Sequence, residues 1–470
     1  MSAPASAFWT LRRVSAALGM GVQDDRPIAR VATDTRSVQP GDLFVALRGE
    51  RFDGHDFLAD AVARGAAALV VSDISRVAAV AVGDAAASPS LGVPVFEVDD
   101  TLRALGRLAN YRRRAWARPV IAIGGSNGKT STKELVRAAL ASRLVVHATA
   151  GNLNNQVGVP LTLLALADDA DVAVIEMGTN VPGEIALLRA IAEPDVALVT
   201  TVQEEHLEGF GDLAGVLREE ASLFDDSALA IVPADEPAVV AEAGARSRRT
   251  VTAGLVTGDL HATACGLNAD GSGWLDVEGE RVAVPLRGAH NLRNAMLALA
   301  AARACGVSIA DAARGIGAVD MAQLPPMRSA VVALGDALLI NDAYNANPGS
   351  ARAAIALLTD IAGDRQRVII LGTMRELGLQ AERAHREIAR EALRSGAHIV
   401  AGIGDFAGAL AVEGLGDARV VVARDIDDLW PQLEERLSST AAILLKASRG
   451  VRLERLVPLL TEWAAGPYRV

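Results

Sequence analysis

The chain has 470 residues, half of them hydrophobic and few aromatic, and a formal net charge of −11. That length suits about three domains of ordinary size, and the acidic balance without any basic tract excludes nucleic acid and an anionic membrane as expected partners. Two cysteines, Cys265 and Cys305, make neither a disulfide framework nor a four-ligand zinc site and are expected to be small buried residues; with no signal-peptide pattern and no apolar run of ~20 residues, a soluble, cytoplasmic protein without a membrane span is expected.

Residues 1–98 alternate short apolar runs with turns. Asp34-Thr35-Arg36 precedes the run Leu43-Phe44-Val45-Ala46-Leu47, a polar loop from Arg48 to His55 follows, and Ala66–Val71 reads as a buried strand after a helix. A weakly patterned stretch occupies 79–94. A second unit, 99–320, opens with a helix over 101–116, whose Arg112-Arg113-Arg114 run is expected on a solvated face. The strand Val120–Ile123 follows, then apolar strands at 172–175, 196–199 and 228–232 alternating with helices, and an alanine-rich helix over 291–305. Alternation of this kind predicts a parallel sheet covered by helices on both faces. Gln323-Leu324-Pro325-Pro326 reads as a linker. Beyond it, in 321–470, the rhythm restarts with strands at 337–340, 368–371, 398–400, 420–422 and 443–445. The predicted fold class is therefore α/β in three domains: a central parallel-sheet ATPase with a phosphate loop, flanked by a smaller N-terminal α/β domain and a C-terminal Rossmann-like domain.

Only three of the 46 basic residues are lysine, and two of them lie in Gly125-Ser126-Asn127-Gly128-Lys129-Thr130-Ser131-Thr132-Lys133. A lysine retained in such a composition marks a place where a compact point charge is needed and the planar fork of arginine fails. The segment joins a strand to a helix expected from about Ser131, so its glycines and backbone N–H groups can cradle a phosphate at a helix N-terminus. Lys129 is expected on the β/γ-phosphates and Thr130 on Mg²⁺. Ile123 stands where the full phosphate-loop pattern has its first glycine, so the loop is a shortened form. The role of Lys133 stays open. Gly151–Pro160, with Asn154 and Asn155, is too polar for a strand and reads as a ligand-facing loop. Glu176 and His206 each follow an apolar strand, at the sheet edge where metal ligands collect. Either alone would ordinarily be structural; two on successive strands downstream of a phosphate loop favour a site.

These motifs resemble the Mur ligase superfamily, whose members use ATP to join an amino acid or peptide to a carboxylate. Asp34-Thr35-Arg36, the segment Phe44–His55 and Asn341-Asp342-Ala343-Tyr344-Asn345-Ala346-Asn347-Pro348 resemble the subgroup that adds D-alanyl-D-alanine to UDP-N-acetylmuramoyl-tripeptide. The resemblance spans nearly the whole chain. It implies an N-terminal domain holding the UDP-sugar, a central ATPase and a mobile C-terminal domain, with ATP and Mg²⁺ as cofactors and a monomer as the working form. It also implies an acyl phosphate attacked by the dipeptide amine. By resemblance, Lys129, Asn155, Glu176, His206 and Arg328 are catalytic. Gly125 to Ser131, Asn291, Asn294, Arg328, Asp342 and Tyr344 contact ATP. Thr35, Arg36, Asn154, Asn347, Lys446 and Arg449 face the other substrates, and Thr130, Glu176 and His206 ligate Mg²⁺. Leu371–Gly378, His385 and Lys446–Arg449 resemble closing-domain motifs near the dipeptide, although Thr373, Ala447 and Met327 depart from the usual residues. His55 and His290 can equally be packed loop residues.

The resemblance also implies a carbamylated lysine on the helix after His206, helping to hold a second Mg²⁺; here Glu220 occupies that position, and no lysine lies between Lys133 and Lys446. Glu220 is expected either to supply the anionic oxygen permanently or, with Glu219, to be an ordinary solvated charge. Alternative functions are another ligase of the superfamily, such as one acting on folate and glutamate, and a phosphate-loop switch that ligates nothing. Because no lysine is available for carbamylation near that site, added bicarbonate should leave turnover unchanged, and stimulation in a steady-state phosphate-release assay would contradict this.

Overall fold

The computed structural model describes residues 8–77, 92–323, 327 and 330–466. Arg328, most of the 79–94 stretch and the linker residues 324–326 lie outside the described residues. The chain divides into two compact units: residues 1–120 with Asn152–Ala173 and Leu187–Glu193, and the remainder, Ile121–Gly151, Val174–Ala186 and 194–470.

In the first unit, four short strands, Val31–Ala32, Leu43–Val45, Ala68–Val71 and Val95–Glu97, pair in parallel in sequence order. Phe44 and Leu69 fill one face and Leu43, Val45 and Val70 the other, as a sheet buried on both sides requires. His55 is packed, its Nε2 accepting from Ser72 N–H at 2.9 Å. The helix Thr101–Trp116 starts where the Asp100 carboxylate accepts from the N–H groups of Leu102 and Arg103, and it stops at Ala117, φ +54°. Its arginine run is solvated only in part: Arg114 is exposed as expected, whereas Arg112 and Arg113 are buried. Arg112 donates to the Leu166 carbonyl at 2.5 Å and Arg113 to the Ala192 and Glu193 carbonyls, both at 2.9 Å. Charge alone misplaced them because the guanidinium fork satisfies carbonyls left open at the end of a neighbouring helix.

The second unit is built on a seven-stranded sheet in the order Leu260–His261, Thr250–Gly254, Leu229–Pro233, Val196–Val199, Val120–Gly124, Val172–Glu176, Val146–Ala148. The strands after Val120–Gly124 are laid first on one side of it and then on the other, so the topological switch falls at its carboxyl end, where ligands bind in such sheets. The helix there is Lys129–Ala141, starting two residues before the expected Ser131. It packs against Ala289–Ala304 and Ile309–Gly317. A second sheet, Ala264–Leu267, Gly273–Val277 and Glu280–Val284, is antiparallel and was not expected; Glu278 and Gly279, φ +52° and +84°, make its tight hairpin turn. Cys265 on its edge is exposed and Cys305 half-buried, against the expectation of two buried thiols.

The C-terminal part carries a six-stranded sheet in the order Ala330–Leu334, Ala337–Asp342, Ala442–Lys446, Arg367–Leu371, Ile399–Gly402, Val420–Val422. The five expected strands are present and parallel, while Ala330–Leu334 adds an antiparallel edge. Helix packing behind the phosphate loop depends on Gly315, where an added Cβ would collide with the Ala138 carbonyl of the helix Lys129–Ala141. Gly315→Ala is therefore expected to destabilise this unit by roughly 1–3 kcal/mol, as overpacking does, read as a lower urea midpoint at unchanged slope.

Candidate active site

Strand Val120–Gly124 is buried along its length and delivers Gly125 at φ +113° and Gly128 at φ +83°. Both conformations exclude a side chain, and a Cβ on Gly128 would also lie 2.9 Å from Asn294 Oδ1. Gly128 caps the helix with no side-chain acceptor, leaving the first-turn N–H groups available to an anion. Lys129 Nζ donates to the carbonyls of Gly125 and Ser126 and lies 3.9 Å from Glu205 Oε1. Ser126 is buried and exchanges hydrogen bonds with the Gln203 backbone, and Ser131 sits half-buried in the first helical turn.

Thr130 and Glu176 meet: Thr130 Oγ1 donates to Glu176 Oε1 at 3.1 Å, and both are buried. Lys133 is also buried, donating to the Thr149 carbonyl at 2.9 Å and facing Glu176 Oε2 at 3.7 Å. It is a wall residue that pairs the site carboxylate. His206, φ +49°, begins the short helix Leu207–Phe210, and its Nδ1 is hydrogen-bonded to Glu376 Oε2. Burial lowers the His206 pKa against the opposing pull of Glu376.

Glu219 and Glu220 are not solvated; both are buried. Glu219 accepts from Gly183 and Ile185 N–H at 2.7 and 2.9 Å and from Thr179 Oγ1 at 3.2 Å. Glu220 Oε2 accepts from Gly125 N–H at 2.6 Å, so this carboxylate contacts the backbone of the phosphate loop. Burial raises the Glu220 pKa while the Lys129 charge opposes it. Among the described residues no three His, Cys, Asp or Glu side chains gather as a metal site, so Glu176, His206 and Glu220 are not brought together as one.

Asn291 and Asn294 are buried and joined, Asn294 Nδ2 donating to Asn291 Oδ1 at 2.9 Å, beside Gly128. Asp342 accepts from Lys446 Nζ at 2.5 Å, and that buried ammonium also donates to the Asn345 carbonyl at 2.7 Å. Lys446 is thus buried and paired within the C-terminal sheet. Asn347 is likewise engaged: it caps the helix Pro348–Ile361 and exchanges two 3.0 Å amide hydrogen bonds with Asn127. Tyr344 is half-buried, and the Arg449 guanidinium is exposed, 3.2 Å from Glu454. His385, expected near the dipeptide, is buried with Nε2 accepting from Met374 N–H at 2.9 Å. In the other unit, Asn155 Oδ1 accepts from Gly158 N–H at 2.9 Å at the start of the helix Gly158–Leu164, beside half-buried Asn154, and Arg36 lies exposed against Asp34 at 2.6 Å, next to Thr35.

Sequence reasoning missed Glu205, whose carboxyl burial pushes up to about 8 against the Lys129 charge, with Glu220 adding to the rise. It also missed Thr200, whose Oγ1 donates to the Asn127 carbonyl at 2.6 Å, and Gln203, whose Oε1 accepts from Asn127 Nδ2 at 2.8 Å. Their only signal was position at a strand end.

The matching family descriptions are the Mur ligase family catalytic domain over residues 27–113, the Mur ligase middle domain over 123–302 and the Mur ligase glutamate ligase domain over 327–449. UDP-N-acetylmuramoyl-tripeptide–D-alanyl-D-alanine ligases of Bacillus subtilis and Escherichia coli are each 35% identical, covering 92% and 93% of this chain and 93% and 95% of their own. Among solved structures, MurF from Acinetobacter baumannii superposes with a TM-score of 0.85 at 31% identity, covering 97% of this chain and 99% of its own. MurF from Thermotoga maritima, in complex with ADP, gives 0.78 at 26% identity, with 93% and 98% covered.

Lys129 reaches its partners from inside a loop of two left-handed glycines as a compact point charge, which the planar guanidinium fork does not reproduce. Lys129→Arg should therefore weaken ADP binding about as much as Lys129→Ala, roughly 100-fold or about 2.7 kcal/mol, by calorimetry; near-native affinity of the arginine variant would contradict the lysine-specific geometry.

Proposed function

The chain belongs to the Mur ligase family, and from that membership and the phosphate-loop geometry we infer that it joins D-alanyl-D-alanine to UDP-N-acetylmuramoyl-tripeptide at the expense of ATP, forming ADP and phosphate. The product is the UDP-N-acetylmuramoyl-pentapeptide precursor of peptidoglycan. The observation that carries this reading is the loop itself: Lys129, Thr130 and a helix N-terminus are presented at the switch point of a parallel sheet, in a chain that aligns with ligases of that activity over more than nine-tenths of its length.

A carboxylate is a poor acylating agent, and a phosphoryl group turns its oxygen into a leaving group. The loop N–H groups and Lys129 would draw charge from the β/γ-phosphates as the tripeptide carboxylate attacks. The dipeptide amine then attacks the acyl phosphate and phosphate departs. Thr130 Oγ1 and Glu176 Oε1, 3.1 Å apart and buried, are hard oxygen donors of the kind Mg²⁺ takes alongside substrate phosphates and water. Bound there, Mg²⁺ would neutralise phosphate charge. His206 would join them only after exchanging its hydrogen bond to Glu376. Asn294, beside Gly128, and its partner Asn291 are assigned to the base, with Asp342 and Tyr344 assigned to the ribose side and Arg328 to the phosphates. Asn155 is assigned to the catalytic loop of the other unit, Asn154 to the substrate side, and Thr35 and Arg36 to the UDP moiety.

The proposed division of labour gives residues 1–98 the UDP-sugar, 99–320 the ATP and 321–470 the dipeptide, in a cytoplasmic monomer. Among the described residues no helix is long and apolar enough to cross a membrane. A folate-type ligase is disfavoured, since likeness to folylpolyglutamate synthase, at 14% identity, extends to the fold alone. Phosphate release from ATP should require the UDP-muramoyl-tripeptide and D-alanyl-D-alanine together, with the pentapeptide seen by mass spectrometry. Equal release with no acceptor, or with folate and glutamate, would overturn the assignment.

A further inference from the structure

The helix Leu213–Ala221 ends with two buried carboxylates that have different duties. Glu219 is saturated by the N–H groups of Gly183 and Ile185 and the Thr179 hydroxyl, and it secures the segment before the helix Glu184–Ala192. Among the described residues Glu220 makes one hydrogen bond, from Gly125 N–H to Oε2 at 2.6 Å, while its buried Oε1 has no hydrogen-bond partner there. The preceding residue is fitted to this approach: a Cβ on Gly124 would lie 2.8 Å from Glu220 Oε2. Two consecutive glycines, one at φ +113°, therefore let a carboxylate reach the backbone behind the phosphate loop. The carbonyl of Gly125 in turn accepts from Lys129 Nζ. A chain of contacts runs from Glu220 through both polar groups of Gly125 to the ammonium that meets the nucleotide.

We propose that Glu220 is a positioning residue for ATP, fixing Gly125 and through it Lys129, and that it does not ligate metal. An anionic acceptor suits this task because a buried hydrogen bond to a charged group is stronger than one between neutral partners and is costly to leave unmade. Its hydrogen-bonded oxygen is given to Gly125, and among the described residues Glu220 joins no group of three His, Cys, Asp or Glu side chains that could hold a metal. Glu220 is thus assigned to the loop, and the metal is left to Thr130 and Glu176.

The inference rests on the nucleotide-binding part of the proposed function, so ADP binding by the native chain is measured first; failure there would overturn that reading and this inference with it, whereas native binding left unchanged in the variants would overturn this inference alone. Calorimetric ADP affinity is then compared in EDTA, with no metal present, for Glu220→Ala, Glu220→Asp and Glu220→Gln. Loss of the contact should weaken binding roughly tenfold in the alanine variant, and similarly in the aspartate variant, whose carboxylate falls one methylene short. Glutamine, whose amide oxygen can still accept from Gly125 N–H, should restore affinity to within about threefold of native. The Mn²⁺ concentration giving half-maximal turnover should move less than about twofold in Glu220→Gln and rise about tenfold in Glu176→Gln, a loss of one charged ligand. Unchanged metal-free affinity in a folded Glu220→Asp variant, or a tenfold rise in the Mn²⁺ requirement of Glu220→Gln, would overturn the proposal. Thermal unfolding of each variant identifies those that fold, and the aspartate and glutamine pair keeps the test open if the alanine variant does not.

Discussion

Three ionisable side chains behind five residues of backbone set the terms for the central unit. Lys129, Glu205 and Glu220 lie in a wall from which water is largely excluded, and buried ions persist only when paired and hydrogen-bonded. The loop does part of that pairing itself: its carbonyls take the ammonium and its Gly125 N–H serves a carboxylate. Such self-solvation requires the backbone to turn through left-handed conformations at Gly125 and Gly128, and both glycines are walled in, one by Thr200 and the other by Asn294.

The same electrostatic reasoning bears on the resting state of the loop. Glu205 is raised to about 8 by burial, and the field of Lys129 restrains the rise. An arriving polyphosphate would compete for that ammonium, so nucleotide and wall carboxylates draw on one charge. Asn127 joins this centre to the C-terminal sheet by its reciprocal amide pair with Asn347.

Much of this was legible in the sequence because the strands are short apolar runs closed by glycine or a polar residue. The phosphate loop and five of the C-terminal strands carry their signals within a few residues. What could not be read was the environment of each charge. Arg112 and Arg113 look like solvent-facing charges until the carbonyls they satisfy are in place. Glu220 stood out only as a departure from a pattern, and its partner lies 95 residues away. The small antiparallel sheet at 264–284 escaped notice because its first strand has no buried residue and the alternation of the other two is diluted by glycine, aspartate and arginine. In the C-terminal sheet, motif residues such as Asn347, His385 and Lys446 cap, brace and pair within the fold; in a single sequence a residue kept for that purpose looks the same as one kept for a ligand.

The scarcity of lysine has a practical side. All three ammonium groups donate to backbone carbonyls, Lys129 to Gly125 and Ser126, Lys133 to Thr149, and Lys446 to Asn345. Lys133 and Lys446 are almost completely covered, at 1% and 4% side-chain exposure, whereas Lys129 retains 15%. An amine-selective acylating reagent, which would scatter over dozens of positions on an ordinary protein surface, meets here a surface whose side-chain amines are nearly all withdrawn. Covalent labelling of side-chain amines on the folded chain thereby becomes a reporter of the nucleotide loop.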